Sequence, residues 1–596
     1  MDAQARSFTF LGNEGAVRIP FFQRAYVWTE ENWDDLLTEL FDAKRNHFLG
    51  SLILKQQKAF IGESKELLVI DGQQRLTTLS VLIKALYDSF TENLQKTVLD
   101  YIRHYLFYKK EITDSDYLIK IQHSHLDADA YQKIIRSGID IASFPLDGNE
   151  NRIVKCYEFF ISKFTEKTED ERKRLFNLIL TPENKMLVII DLAENDDEQT
   201  IFDTINSAGV RLSSSDTIKN ALFQKAIQIY GNQETAIELY RKTWEKAFLV
   251  DEETVAYWNT ERHTGRLMRD NIEILLHCIA VINGFYDPDE HTLSDIPKLY
   301  KSRVGQFKTK DDLESFIKEI KDYAEIYRDQ ISPLDNSTLF SFADNTLRLF
   351  HILEVLQVTT FHPFILFVLK TFKHNGPELS RLLSNLEKFV VRRMIARQET
   401  KSFNKLCKEF IKDPTTILNR INETTDDQFI SGLKGITNKN AALLLFWTEL
   451  QRRHKDHKFD TKELKYCYSL EHIMPQGWKE FWHAIPEKKK ANGETMLLEE
   501  AKKDRQEKVY WIGNMTLLTS SLNSSLRNFV FEKKVNGEGK KKGMKAYAAL
   551  SITKDDIVSK FDSGDVIWDE NKIMDRTDAI TREILQIWGN VASIQL

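Results

Sequence analysis

The stretch SLEHIMPQGW sets a carboxylate beside an imidazole, Glu471 next to His472, and two asparagines, Asn514 and Asn523, follow it in YWIGNMTLLTSSLNSSLRNFVFEKK. These residue types suit cleavage of a phosphodiester. A neutral imidazole can take a proton from water near pH 7. A hard divalent cation, magnesium or manganese, neutralises charge on the phosphate and the leaving oxygen, and it prefers oxygen donors. Glu471 is expected to supply one such oxygen from the opposite face of the same strand, and the Asn523 amide a second. Asn514 is expected to hold the loop or the ring of the base. Lys533 and Lys534, further along the same helical run, are placed to meet DNA phosphates.

A second set of chemically capable residues lies near the start. VIDGQQRLTTL runs an apolar strand, Leu67 to Ile70, into Asp71 and Gly72, and a helical pattern begins at once with Gln73, Gln74 and Arg75. A carboxylate at a strand end can hold a cation or a water, and glycine permits the tight turn. The helix start offers free N–H groups and Arg75 a bidentate fork, so the junction suits phosphate. It is not a Walker loop, whose glycine and lysine spacing is missing. The plainer reading makes Asp71 a helix cap and the three polar residues a solvated first turn. Upstream, IPFFQRAYVW places Gln23 and Arg24 after an extended Ile-Pro start. Downstream, IFDTINSAGVRLSSSDTIKN offers Asp203, Asn206, Asp216 and Lys219 to complete a polar pocket, with a turn at Asn206 to Gly209 and a helix cap near Ser213.

The elements that must position these groups divide the chain by texture. At 596 residues it is too long for one core. Residues 1–215 mix short strands, HFLGSLIL and ELLVI, with helices such as RLTTLSVLIKALYDSF; residues 216–450 are almost wholly helical; residues 451–596 bring strands back in LKYCYSLEHI and VYWIGNMTLLT. The fold class expected is therefore α+β and multidomain. Strand, strand and helix, carrying His472, Asn514 and Asn523 in turn, is the layout of a ββα-metal nuclease site.

Composition bounds the function classes. With 42% hydrophobic and 29% charged residues the chain is neither disordered nor collagenous. A net charge of −6 excludes a uniformly basic coat and leaves room for a local basic patch. Cys156, Cys278, Cys407 and Cys467 form no CxxC pair, which argues against a zinc site or a disulfide framework and for a reducing cytoplasm. MDAQARSFTF has no apolar signal core. VTTFHPFILFVLKTF is too short to span a bilayer and reads as a buried helix, so no membrane partner is expected. Phe350, Phe361, Phe364, Phe367 and Phe372 read as core.

Taken together, IPFFQRAYVW, HFLGSLIL, VIDGQQRLTTL and FDTINSAGVRLSSSDTIKN at one end, and LEHIMPQGW, WIGNMTLL and LNSSLRNFVFEKK at the other, resemble the GmrSD-type family. These are type IV, modification-dependent restriction endonucleases of bacterial anti-phage defence. The resemblance runs from about residue 8 to the end, with the middle matched only in being helical. It implies an N-terminal ParB/sulfiredoxin-like domain that binds and hydrolyses GTP or another nucleotide. Asp71, Gly72, Gln73, Gln74, Arg75 and Thr77 would then form the phosphate-contacting loop, with Gln23 and Arg24 lining the same pocket. It also implies a C-terminal HNH nuclease with His472 as general base and Glu471 and Asn523 on the metal. Glutamate stands where many HNH enzymes carry aspartate, and its extra methylene puts direct coordination by Glu471 in doubt. The implied partners are nucleotide and double-stranded DNA, in particular modified phage DNA, in the bacterial cytoplasm; a homodimer is one expected assembly.

Other readings share these residues. The N-terminal domain would serve as the modification reader if Pro20, Phe22 and Tyr26 packed against a modified base or an apolar sulfur. A regulatory DNA-binding NTPase with an inactive nuclease fold, and an RNA-cleaving toxin, are the remaining alternatives.

Overall fold

Leu52, Ile53 and Leu54 are buried in succession, the mark of a strand covered on both faces. This strand, β3 (Gly50–Gln56), lies at the middle of a six-stranded mixed sheet. With β1 (Asp2–Arg6), β2 (Ala16–Arg18), β4 (Glu66–Asp71), β5 (Ile121–Gln122) and β6 (Leu187–Leu192), the order is β1-β6-β3-β4-β2-β5. β3 is parallel to β6 and antiparallel to β4, and a register shift after Ile53 leaves Ile53 opposite Asp71. In this computed structural model the described residues are 2–42, 48–56, 66–110, 116–140, 151–192, 213–264, 267–331, 334–335, 337–480, 482, 484–485 and 494–590.

Two compact units divide the chain: residues 1–241 with 308–310, and residues 242–307 with 311–596. In the first, α1 (Glu30–Asp42) and α3 (Arg152–Thr165) join α2 (Gln73–Asp88) around one core. Every α2 residue from Leu76 to Tyr87 is buried, as expected of a helix packed on all sides. α4 (Ser214–Tyr230) begins at an N-cap on Ser213, whose side chain accepts from the Asp216 N–H, as the sequence suggests.

Residues 216–450 are helical along most of their length. The apolar stretch at 358–372 forms a helix, α5 (His362–Thr371), with Pro363 in its first turn. Phe361 packs there against the rings of Phe389, Phe403 and Phe410. Among the described residues no helix is long and apolar enough to cross a membrane, and all four cysteines are free thiols.

Toward the end of the second unit, β7 (Tyr468–His472) pairs antiparallel with β8 (Met515–Thr519), with His472 opposite Met515. α6 (Asn438–Lys455), buried from Ala441 through Gln451, packs on both strands. α7 (Ser520–Leu526) follows β8 directly. Two expectations change here. Asn514 does not lie in the second strand but closes a 3-10 turn, Ile512–Asn514, immediately before it. The single helix expected to carry Asn523 and Lys534 is two helices, α7 and α8 (Phe531–Asn536). Arg527, at φ 46° and ψ −140°, cannot continue a right-handed helix, so the chain turns there and restarts from extended Val530.

Candidate active site

Successive side chains of a strand leave on opposite faces, and β7 ends by sending Glu471 and His472 into different surroundings. Glu471 is 9% exposed and pairs with Lys534, which has no exposed surface. The same ammonium donates to the His472 carbonyl at 2.7 Å. Burial pushes the Glu471 carboxyl upward, and Lys534 opposes that shift. Lys534 is therefore corrected from a DNA-phosphate contact to an internal brace: the break at Arg527 turns it inward. Lys533 stays exposed but pairs with Glu538 at 2.5 Å.

His472 is half-buried. Burial lowers its imidazole pKa to about 4, and the neighbouring Lys534 charge adds to the effect. The ring is neutral at pH 7, as a general base requires. Its Nε2 lies 3.4 Å from the Gln476 amide.

Asn514 is fully buried with both ends of its amide used. Oδ1 accepts from the Met474 N–H at 2.9 Å and from the Trp568 indole N–H at 3.1 Å; Nδ2 donates to the carbonyls of Met474 at 2.8 Å and Val509 at 2.9 Å. It therefore holds the loop that follows the base and not the ring. Asn523 ties α7 to β7: its Nδ2 donates to Ser469 Oγ at 3.0 Å and the Leu470 carbonyl at 2.9 Å. Among the described residues nothing donates to Asn523 Oδ1, which leaves it as an oxygen donor.

Two supports carry no sequence signal of their own. Arg576 on α9 (Glu570–Trp588) donates to the carbonyls of Gly513 at 2.8 Å and Met515 at 2.7 Å, bracing Asn514 from behind. Gly513 packs so closely on that helix that an added Cβ would collide with the Ile573 carbonyl.

These donors do not fit a directly bound divalent cation as arranged. The Glu471 carboxylate is already neutralised by Lys534. Among the described residues no group of three or more His, Cys, Asp or Glu side chains is placed to hold a metal.

In the first unit, Gly72 takes a left-handed φ of 90° between Asp71 and α2. A Cβ there would run into Leu52 and the Ser51 carbonyl, so the turn requires glycine. Gly50, at φ 119°, likewise leaves room for the Arg75 guanidinium, which crosses it and donates to the Ser51 carbonyl at 3.0 Å. Gly50 is a site residue that sequence reasoning missed. Burial raises the Asp71 pKa, against the Gly72 N–H and the charges of Arg75 and Arg24. Burial also acts against ionisation of Asp216, yet Lys219 at 2.6 Å, the Ser213 hydroxyl and Arg24 hold its pKa below the usual range. Arg24 thus feels both carboxylates, Asp71 and Asp216, and the structure gathers residues far apart in sequence.

The glutamines hold backbone. Gln23 Nε2 donates to the carbonyls of Val69 at 2.8 Å and Ile70 at 3.2 Å. Gln73 Nε2 donates to Arg24 O at 3.1 Å, and Gln74 both accepts from Val27 N and donates to Ala25 O. The first turn of α2 is therefore engaged, not solvated. Thr77 Oγ1 bonds the Gln73 carbonyl and lies 3.3 Å from His123, a second residue the sequence did not mark. With Arg24, the side chains of Gln73, Gln74, Thr77 and His123 line a crevice that has no room for a water molecule.

Phe22 and Tyr26 are buried, at 6% and 4% exposure. The Tyr26 hydroxyl is occupied by Thr78 at 2.5 Å and the Trp33 indole at 2.8 Å. Pro20 opens the same loop, its carbonyl accepting from the Gln23 N–H at 3.0 Å. The aromatic surface expected to read a modified base is thus core, because Phe21 and Phe22 pack edge to face at 5.1 Å beneath α4. Asp203 and Asn206 lie outside the described residues.

Comparison with known proteins identifies the family. Residues 8–223 match the GmrSD restriction endonuclease N-terminal domain, and residues 423–583 match the GmrSD restriction endonuclease C-terminal domain. The chain belongs to the GmrSD restriction endonuclease family. It is also 26% identical over 269 residues to an uncharacterized protein of Methanocaldococcus jannaschii, a match that takes in 39% of this chain and 42% of that one. The chain thus spans less than half the length of that relative.

Proposed function

We propose that the chain is a nucleotide-regulated endonuclease that cuts modified DNA at the His472 site, a restriction activity of the bacterial cytoplasm. One observation carries the reading: His472 is neutral, half-buried, and held at a strand end by an element on each side, Lys534 at its carbonyl and Asn514 at the following loop. A ring in that state takes a proton from water. The water oxygen then bonds to phosphorus while the bond to the leaving oxygen breaks, and the leaving oxygen is protonated from solvent. Magnesium or manganese belongs to this reading only with a donor set other than the one seen, in which Glu471 is free of Lys534 and joins Asn523 Oδ1.

The Asp71–Thr77 junction is the proposed site for GTP or another nucleoside triphosphate. Arg75 and Arg24 supply the cationic groups, and the start of α2 the N–H groups. The crevice has no room for a water molecule, far short of the roughly 300 Å³ of a small-molecule pocket. A nucleotide therefore lies over the junction, with only its phosphates near Arg24. Because Phe22 and Tyr26 are buried, this reading does not assign the sensing of modified bases to them.

The test is cleavage of modified phage DNA and its unmodified counterpart, with magnesium or manganese, with and without GTP or ATP. The expected result is cutting of the modified DNA that is nucleotide-dependent, stopped by a chelator and absent in His472→Ala. Cutting that survives His472→Ala overturns the site. Cutting of RNA but not DNA moves the reading to the toxin.

A further inference from the structure

Just past the Lys534 brace the chain folds into a small hairpin, β9 (Gly537–Glu538) paired with β10 (Lys541–Lys542). Gly539, at φ 61°, opens its two-residue turn, the position where such turns favour glycine. Lys540 stands at the tip, and Lys541 and Lys542 leave on opposite faces of β10. All three are exposed. Among the described residues none has an acidic partner, whereas the flanking Lys533 and Lys545 are paired with Glu538 and Asp562. Glu538 stands across the hairpin from Lys541 but pairs with Lys533, so three neighbouring ammonium groups are left without an ion pair of their own among the described residues, on a chain whose net charge is −6.

The hairpin is also fixed to the site. An added Cβ at Gly543 would meet the Lys534 carbonyl at 2.6 Å and collide with that of Val535, so the hairpin base packs directly on α8. The Lys533–Glu538 pair adds a side-chain tie. Lys541 follows Lys534 by seven residues, a reach of at most about 25 Å, or about seven base pairs of duplex. A cationic tip held at that range from a phosphodiester-cutting histidine matches the charge of a nucleic-acid backbone.

We infer that the Gly537–Lys542 hairpin is the DNA-backbone contact of the second unit, with Lys540, Lys541 and Lys542 on phosphates. The inference rests on the nuclease reading above. The DNA-phosphate role expected of Lys533 and Lys534 belongs to these three lysines.

The test measures binding of a 30-base-pair unmodified DNA duplex at several salt concentrations, in a His472→Ala background so that nothing is cut. Each phosphate contact contributes about 0.9 to the slope of log affinity against log salt. Replacing Lys540, Lys541 and Lys542 by alanine should flatten the slope by about 2 to 3 and weaken binding about tenfold or more at 0.1 M salt. Lys541→Ala alone should flatten it by about 0.9, which keeps the test open if the triple variant melts early. An unchanged slope in folded variants overturns the inference, as does a loss confined to duplex RNA or to an acidic protein. The two readings fail separately. An unchanged slope with His472-dependent cutting removes the hairpin alone; a flattened slope with no cutting by the unmutated chain removes the nuclease.

Discussion

Asn514 and Met474 bond to each other in both directions: the Met474 N–H donates to Oδ1 at 2.9 Å and the Asn514 amide donates to the Met474 carbonyl at 2.8 Å. The pair locks the chain two residues beyond His472. Asn514→Ala would strand a buried backbone N–H, two carbonyls and the Trp568 indole. The expected cost is about 3 kcal/mol or more, read by chemical denaturation. Activity lost at unchanged stability would make Asn514 a participant in the chemistry instead of a clamp.

His472→Ala removes a half-buried side chain that carries no structural bond of its own beyond the 3.4 Å approach of Gln476. Cleavage should fall by about a hundredfold or more, with the melting temperature close to that of the unmutated protein. A large drop in melting temperature would mean the ring is packing, not chemistry.

Lys534→Met should be worse for stability than Lys533→Met, because only the first leaves a buried carboxylate, Glu471, without its cation. The paired change Lys534→Met with Glu471→Leu should recover much of that loss. Thermal melts of the unmutated protein, Lys534→Met, Glu471→Leu and the double variant form the cycle, and additivity of the two single changes would show that the pair is not coupled.

Arg24→Ala leaves Asp71 and Asp216 without the charge they share. Affinity for a non-hydrolysable GTP analogue, measured calorimetrically, should fall about tenfold or more, the scale of a lost charge-assisted contact. Equal affinity in the two proteins would place the nucleotide away from this junction.

His123 supplies a pH dependence. Burial lowers its pKa to about 3, against about 6.5 in the unfolded chain. The unfolded state therefore binds the extra proton first. The contribution is complete above pH 6.5 and is lost as pH falls from there toward 3. Chemical denaturation of the unmutated protein should show stability falling more steeply on the acid side than in His123→Phe. Parallel curves would mean the ring is free to charge in the folded protein.

Much of this site could be read from residue types and spacing, and what could not depends on distant partners. Gly72 and the start of α2 follow from a strand meeting DG and a helical period. The uses of Gln23, Gln73 and Gln74 do not, because their partners are backbone atoms more than forty residues away in sequence. His472 at a strand end and Asn523 on the helix after β8 were legible. Lys534 was misplaced because one positive-φ residue, Arg527, ends a helix that the pattern alone would carry onward. The burial of Phe22 and Tyr26 is not legible, because an aromatic-rich loop looks the same whether it faces a ligand or α4.

The hydrogen-bonded braces described around His472, from Asn514, Lys534, Trp568 and Arg576, all come from chain that follows it. A ribosome that has just released the histidine has yet to synthesise β8, α8 and α9. The growing polypeptide therefore carries the proposed base without the frame that holds it, and the site is completed only once α9 has left the exit tunnel.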